Sequence, residues 1–300
     1  MTYCTDVLDL IGGTPLIKLT SITDMSVYAK AEFLNPGGSI KDRVAKHIIF
    51  EATRRGDLKP GQLVVEATSG NTGIGVTLVA TQKGHPVKIV MPHNMSEERK
   101  KIIRALGAEL ILTPAEGFID EAVRVADEIA KKEGGWRLRQ FHNPLNPETH
   151  YLFTGPEIAE QLDGKIHAFV AGVGSGGTLG GVGKFLKERD RNVRLIAVEP
   201  KQTAALLRQE PGLHAIQGIG DGFVPECLDT QLIDDLITVS DEDAIATTRE
   251  LARKQGLLVG TSSGANVWAA TFIARALGPT YNVVTVLPDR AERYFSTALI

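Results

Sequence analysis

The chain has 300 residues, 43% of them hydrophobic, enough for a large core in one big α/β domain or two of ordinary size. A formal net charge of −3 leaves no electrostatic footprint for nucleic acid or an anionic membrane surface, and MTYCTDVLDL has no basic segment ahead of an apolar run. Two cysteines, Cys4 and Cys227, cannot build a disulfide framework, the histidines are dispersed with no HExxH, and nothing approaches a membrane span, so a soluble cytoplasmic protein without a metal centre is expected.

In chain order, a short helix or coil precedes two strands, Pro15–Thr20 and Val27–Phe33. The turn Asn35-Pro36-Gly37-Gly38 then stops at Ser39, a good N-cap, with Asp42 three residues on as in a capping box. Ile40, Val44, Ile48 and Ala52 recur every four residues, which predicts an amphipathic helix to about Arg55, ended by Gly56. Lys41 falls in its first turn, at the positive end of the helix dipole, where a cation is disfavoured. That placement lowers a lysine pKa and favours the neutral amine that condenses with an aldehyde. The plainer reading is a solvated surface lysine, and the rest of the chain has to decide between them.

From there the pattern is regular. Strands are expected at Gln62–Ala67, Val87–Met91, Glu109–Leu112 and Arg137–Phe141, alternating with helices at Thr72–Gln82, Ser96–Leu106 and Phe118–Lys132. Such alternation means βαβ units and a parallel sheet covered on both faces. His142-Asn143-Pro144-Leu145-Asn146-Pro147 breaks it and marks the candidate domain crossing, dividing the chain into 1–145 and 146–300. The second half resumes with helices at about 149–162, 178–189, 240–255 and 263–277. Its strands are expected at Ile166–Val173, Val193–Val198, Leu257–Gly260 and Asn282–Leu287, with an irregular piece over 200–230.

Two strand–loop–helix junctions suit ligands. Gly172-Val173-Gly174-Ser175-Gly176-Gly177-Thr178 lets backbone N–H groups approach a phosphate at a helix N-terminus, with Ser175 and Thr178 adding hydroxyls. The same glycines spell GxGxxG with Glu199 about twenty residues on, so a nicotinamide-dependent oxidoreductase is a rival reading. The second junction, Thr68-Ser69-Gly70-Asn71-Thr72-Gly73, is either a carboxylate cradle or a well-capped helix. Phosphate loop, carboxylate loop and an activated lysine together describe pyridoxal 5′-phosphate (PLP) holding an amino acid.

The motifs IGGTPLIKL (11–19), KAEFLNPGGSIKDR (30–43), EATSGNTGIG (66–75), QFHNPLNP (140–147), GVGSGGT (172–178), GIGDGF (218–223), GTSSGA (260–265) and PDRAERYFSTAL (288–299) run nearly end to end. In that order they resemble the cysteine synthase (O-acetylserine sulfhydrylase) family, with cystathionine β-synthase close in reaction. The resemblance implies a tryptophan-synthase-β-like α/β fold of fold type II. Two three-layer α/β/α domains would face an active-site cleft, with residues 12–34 packing on the second. It implies a homodimeric PLP-dependent transferase, with a serine acetyltransferase C-terminal tail as a partner. Its reaction makes L-cysteine from O-acetyl-L-serine and sulfide through an aminoacrylate; serine with homocysteine is the alternative pair. By the same resemblance Lys41 carries the cofactor and moves the α-proton, Asn71 bonds the cofactor ring oxygen, and Gly174, Ser175, Gly176, Gly177 and Thr178 hold its phosphate. Ser262 meets the pyridine nitrogen, while Thr68, Ser69, Thr72 and Gln140 hold the substrate carboxylate. A hydroxyl at that nitrogen makes a weaker electron sink than a carboxylate would, which favours prompt loss of a β-substituent. Asp221 stands where many cysteine synthases have a small residue, and either meets a second substrate's ammonium group or faces solvent. No extra cationic cluster for a second phosphate is evident, which argues against O-phosphoserine.

Overall fold

A computed structural model describes residues 3–210, 212–297 and 299. After a short N-terminal turn come β1 (Leu16–Lys18), β2 (Val27–Lys30), α1 (Lys41–Arg55), β3 (Val64–Ala67) and α2 (Asn71–Gln82). Next are β4 (Val87–Pro92), α3 (Glu97–Ala105), β5 (Glu109–Thr113), α4 (Phe118–Glu133) and β6 (Trp136–Arg137). The second half holds α5 (Leu145–Thr149), a π-helical turn (His150–Thr154), α6 (Gly155–Gln161), β7 (Ala168–Gly172), α7 (Gly177–Arg189) and β8 (Arg194–Pro200). It ends with β9 (Asp235–Val239), α8 (Asp241–Gln255), α9 (Thr261–Leu277) and β10 (Val283–Val286).

Two sheets result. One is all parallel, in the order β5-β4-β3-β6; the other runs β1-β2-β10-β7-β8-β9 and is parallel except for the β1–β2 hairpin. Successive residues of β7 explain the layering: Ala168 and Val170 pack with α8 and α9, while Phe169 and Ala171 pack with α6 and α7. Strands buried on both faces need apolar residues at every position, as these runs have. The smaller sheet is covered by α1, α2 and α3 on one face and by the alanines of α4 (Ala122, Ala126, Ala130) on the other. This is the doubly covered α/β architecture that the alternation predicts. Among the described residues, no helix is long and apolar enough to cross a membrane.

The departures have local causes. Strand Arg137–Phe141 stops at Arg137, because the N–H groups of Leu138 and Arg139 donate to the buried Glu66 carboxylate, both at 3.1 Å, instead of a neighbouring strand. Leu257–Gly260 is not a strand. With β10 already flanked by β2 and β7, this run meets the chain beyond β10, Gly260 N–H donating to Asp289 O and Ala291 N–H to Leu258 O. The half-buried edge strand β9 escaped the sequence reading, since Asp234 and its own first residue Asp235 look like loop. The helix expected at 149–162 begins earlier, at Leu145, and changes to π geometry at His150. Nor is a capping box formed: Ser39 Oγ accepts from Lys41 N–H at 3.3 Å, but Asp42 accepts from Gly37 N–H at 2.7 Å.

What fixes α1 is a buried ionic cluster. Arg43 makes a fork to Glu32 (2.7 and 2.8 Å) and another to Glu157 (2.7 Å twice), and Lys30 adds a contact to Glu157 at 2.7 Å. Gly12 and Gly13 donate their N–H groups to Asn35 Oδ1 and Glu157 Oε1. The IGGTP and KAEFLNPGG motifs therefore lock β2, α1 and α6 together. Bidentate pairing offsets the desolvation that such burial costs.

Candidate active site

Lys41 is the first residue of α1, and its Nζ donates across the cleft to Ser175 Oγ at 3.1 Å. Its pKa lies below the ordinary lysine value; burial is the main cause, and the Asp221 carboxylate works the other way. The helix end on which the sequence argument leaned is thus joined by a stronger effect, desolvation. Gly75 of α2 lets the lysine's turn come this close, since a Cβ there would stand 2.9 Å from the Lys41 carbonyl oxygen.

A cavity of about 360 Å³ is lined by both halves of the chain, and every residue assigned above to the cofactor or the substrate carboxylate opens onto it. Lys41, Thr68, Ser69, Asn71, Thr72 and Gln140 come from the first half; Gly174, Ser175, Gly176, Gly177, Thr178 and Ser262 come from the second. Thr72 Oγ1 donates to Gln140 Oε1 at 2.6 Å, and Thr68 Oγ1 accepts from Gly70 N–H at 2.9 Å, so this wall is preassembled. Ser69 is the exposed member, its hydroxyl open to the cavity.

The opposite wall fits a phosphate. Gly176 has φ +78°, and α7 begins at Gly177, so its first N–H groups are without helical partners. Side chains are excluded: a Cβ at Gly174 would meet Gly218 O at 2.4 Å, and one at Gly177 would meet Asn146 Oδ1 at 2.0 Å. A bare backbone cradle facing a buried amine suits a cofactor with a phosphate at one end and an aldehyde at the other. The volume falls in the small-molecule range of roughly 300–1,000 Å³. Glu199, by contrast, is buried near the end of β8 and accepts from Leu206 N–H at 3.1 Å in the loop that follows. The dinucleotide reading thereby loses its ribose-binding acid.

Several residues were not legible beforehand. Asn146 Nδ2 donates to Ser175 Oγ at 2.9 Å, fixing the phosphate loop, though its sequence context marks only a proline-rich break. His150 is buried and contacts Thr178 Oγ1 at 3.3 Å and Thr154 Oγ1 at 3.0 Å. Burial, then Lys41, hold its pKa well below the usual range, so it is a neutral support for the loop. Arg99 reads as part of a charged helix face, yet it lines the cavity, is buried, and donates to Gln217 Oε1. It is a cation in the cleft where the sequence showed none. Asp221 also lines the cavity; its side chain is accessible, but to the water of the cleft. The enclosing walls raise its pKa while Lys41 and His214 oppose the rise.

Comparison with known proteins agrees with this geometry. The model of the family described as pyridoxal-phosphate dependent enzyme matches residues 7–289. A cysteine synthase of Staphylococcus aureus (strain Mu50 / ATCC 700699) is 47% identical over 298 residues, 98% of this chain and 96% of that protein. The crystal structure of an O-acetylserine dependent cystathionine β-synthase from Helicobacter pylori superposes with a TM-score of 0.94 at 42% identity, covering 100% of this chain and 99% of that one. An O-ureido-L-serine synthase structure gives a TM-score of 0.96 at 42% identity over 99% and 95% of the two chains. With a cradle for a phosphate, a buried amine opposite it and a match along nearly its whole length, the chain belongs to the pyridoxal-phosphate dependent enzyme family.

Proposed function

We propose that the protein makes L-cysteine from O-acetyl-L-serine and sulfide by β-replacement, with pyridoxal phosphate held in the cleft. The observation that carries this reading is the Lys41–Ser175 contact of 3.1 Å, which sets a buried amine against the glycine loop in the cavity that also holds Thr68–Thr72. When bound, the cofactor supplies an aldehyde for an amine and a ring that stabilises negative charge at the substrate α-carbon. Residues 174–178 would hold its phosphate, Asn71 its ring oxygen and Ser262 its pyridine nitrogen, Ser262 being buried in the first turn of α9. Thr68, Ser69, Thr72 and Gln140 then orient the substrate carboxylate. Lys41, whose pKa burial lowers, takes the α-proton, acetate leaves the β-carbon, and sulfide adds there before the proton returns. Closing of the carboxylate loop over bound substrate excludes water meanwhile.

The chain divides near residue 145, with residues 12–34 assigned to the second unit, as their strands' place in the six-stranded sheet supports. We read the enzyme as cytoplasmic and homodimeric, with exposed Phe50 and Phe153 beside His47 on the outer side of α1 as an apolar strip for the second copy. A serine acetyltransferase C-terminal tail, ending in a carboxylate, fits the same Thr68–Thr72 wall.

A second reading has its own observation. Asp221 on the cavity wall favours a thiol that carries an ammonium group, such as homocysteine, over hydrosulfide. Feeding the purified enzyme O-acetylserine or serine, each with sulfide or homocysteine, decides between them by product. Cysteine from O-acetylserine and sulfide is expected as the most efficient turnover; cystathionine from serine and homocysteine as the main product would overturn the first reading.

A further inference from the structure

The stretch PDRAERYFST (288–297) has no part in the chemistry described so far, yet Pro288 lines the cavity and Arg293 reaches back to its walls. Arg293 within it is buried at 3% exposure and, among the described residues, makes no ion pair. Burying a guanidinium with no carboxylate in direct contact, Asp289 and Asp42 acting on it only from a distance, is costly, so its donors have to be well used. One nitrogen, Nη2, donates to Gly37 O, in the turn that delivers Lys41; the other, Nη1, donates to Asn71 Oδ1 at 2.6 Å. The fork fits because Gly38 has φ +79° and no side chain: a Cβ there would stand 2.8 Å from Nη2. The far end of the Asn71 amide is taken as well. Its Nδ2 donates to Asp289 Oδ2 at 2.6 Å, and the Tyr294 hydroxyl donates to the same oxygen at 2.5 Å.

This network has only one consistent polarity. A guanidinium can only donate and an ionised carboxylate can only accept, so the Asn71 carbonyl must face Arg293 and its amide nitrogen must face Asp289. One N–H of Asn71 is left over, and Asn71 lines the cavity. We propose that Arg293 is a positioning residue that, with Asp289, locks the Asn71 amide so that it offers the cofactor's ring oxygen an N–H and never its carbonyl, and ties that amide to the turn bearing Lys41. The proposal rests on Asn71 being the ring-oxygen partner. A donor at that oxygen favours its anionic form, so the lock sets both cofactor affinity and the pH at which the bound cofactor changes colour.

The test is a double-mutant cycle on holoenzymes, Arg293→Lys, Asn71→Ala and the pair, read by the dissociation constant for pyridoxal phosphate and the pH midpoint of its visible band. Arg293→Lys keeps the charge but lacks the planar fork. It should weaken cofactor binding about tenfold and move the midpoint up by about one unit. In the Asn71→Ala background the same change should add less than about twofold. Losses that multiply across the cycle would mean Arg293 merely props up the turn, and would overturn the proposal. If Asn71→Ala alone moves neither readout, the assignment of Asn71 falls and the proposal with it. Should Arg293→Lys fail to fold, Asn71→Asp still offers Arg293 an acceptor but has no N–H for the cofactor; it must reproduce the Asn71→Ala loss, and wild-type readouts there would overturn the lock.

Discussion

At the scale of single residues, the site works because a few atoms are kept apart from water and from side chains. Lys41 Nζ is held against Ser175 Oγ, and the general base proposed for it would contribute roughly 10²–10⁴-fold, so Lys41→Ala should lower the rate of acetate release by that factor even with cofactor added back. Stopped-flow release of acetate checks it. Gly177 is where the loop tolerates no substituent: Gly177→Ala would drive a Cβ into Asn146 Oδ1 at 2.0 Å, displacing the side chain that holds Ser175. Cofactor affinity, measured by absorbance titration, should fall at least about tenfold. Asp221 lines the same cavity, and on the proposed reading its carboxylate would repel an incoming anionic hydrosulfide. Asp221→Asn should raise kcat/KM for sulfide by about fivefold, the equivalent of ~1 kcal/mol of repulsion, and lower it for an amino-acid thiol. A fall with sulfide would contradict that placement. These residues also show where sequence reading succeeds. Lys41, Gly177 and Thr72 stand in short motifs at helix starts, so their chemistry is local. Arg99, Asn146 and Arg293 reach partners 118, 29 and 222 positions away, and no local pattern announces those contacts.

At the scale of elements, α1 is held in two ways. Beneath it, Gly75 lets α2 pack close, since a Cβ there would stand 2.9 Å from the Lys41 carbonyl oxygen. Behind it, the Arg43 cluster ties it to β2 and α6. Pairing with Arg43 and Lys30 outweighs partial burial and holds Glu157 at about 2, below the ordinary carboxylate value. A lowered folded-state pKa means this stabilisation is present above the unfolded value and fades as pH falls from ~4.5 through ~2. Glu157→Gln should therefore cost on the order of 3 kcal/mol near pH 7, where it leaves two buried cations short of a partner, and much less near pH 3. Thermal melts of both proteins across that range check it; an equal loss at both pH values would show that pairing charge is not what matters. The expected helix frame survived because α1, α2, α7 and α9 all start at glycine- or serine-rich turns and bury regular apolar faces. Strand ends fared worse at Arg137 and at Leu257–Gly260, where a buried carboxylate or an already filled sheet decides the pairing, and neither is visible in a six-residue window.

At the scale of the whole molecule, the two sheets supply opposite walls of one cleft, and the ligand-facing loops sit at the C-terminal ends of β3 and β7. That placement is general for parallel sheets, which is why the strand–loop–helix junctions of the sequence already mark the site. Light scattering should give twice the mass of one chain, as a homodimer requires; a single-chain mass at micromolar concentration would contradict it. The account as a whole depends on a covalent link from Lys41 to the cofactor. Borohydride reduction of the holoenzyme followed by peptide mass mapping tests it directly: the pyridoxyl group should lie on the peptide containing Lys41 and nowhere else, and a label on any other lysine, or none, would contradict the account.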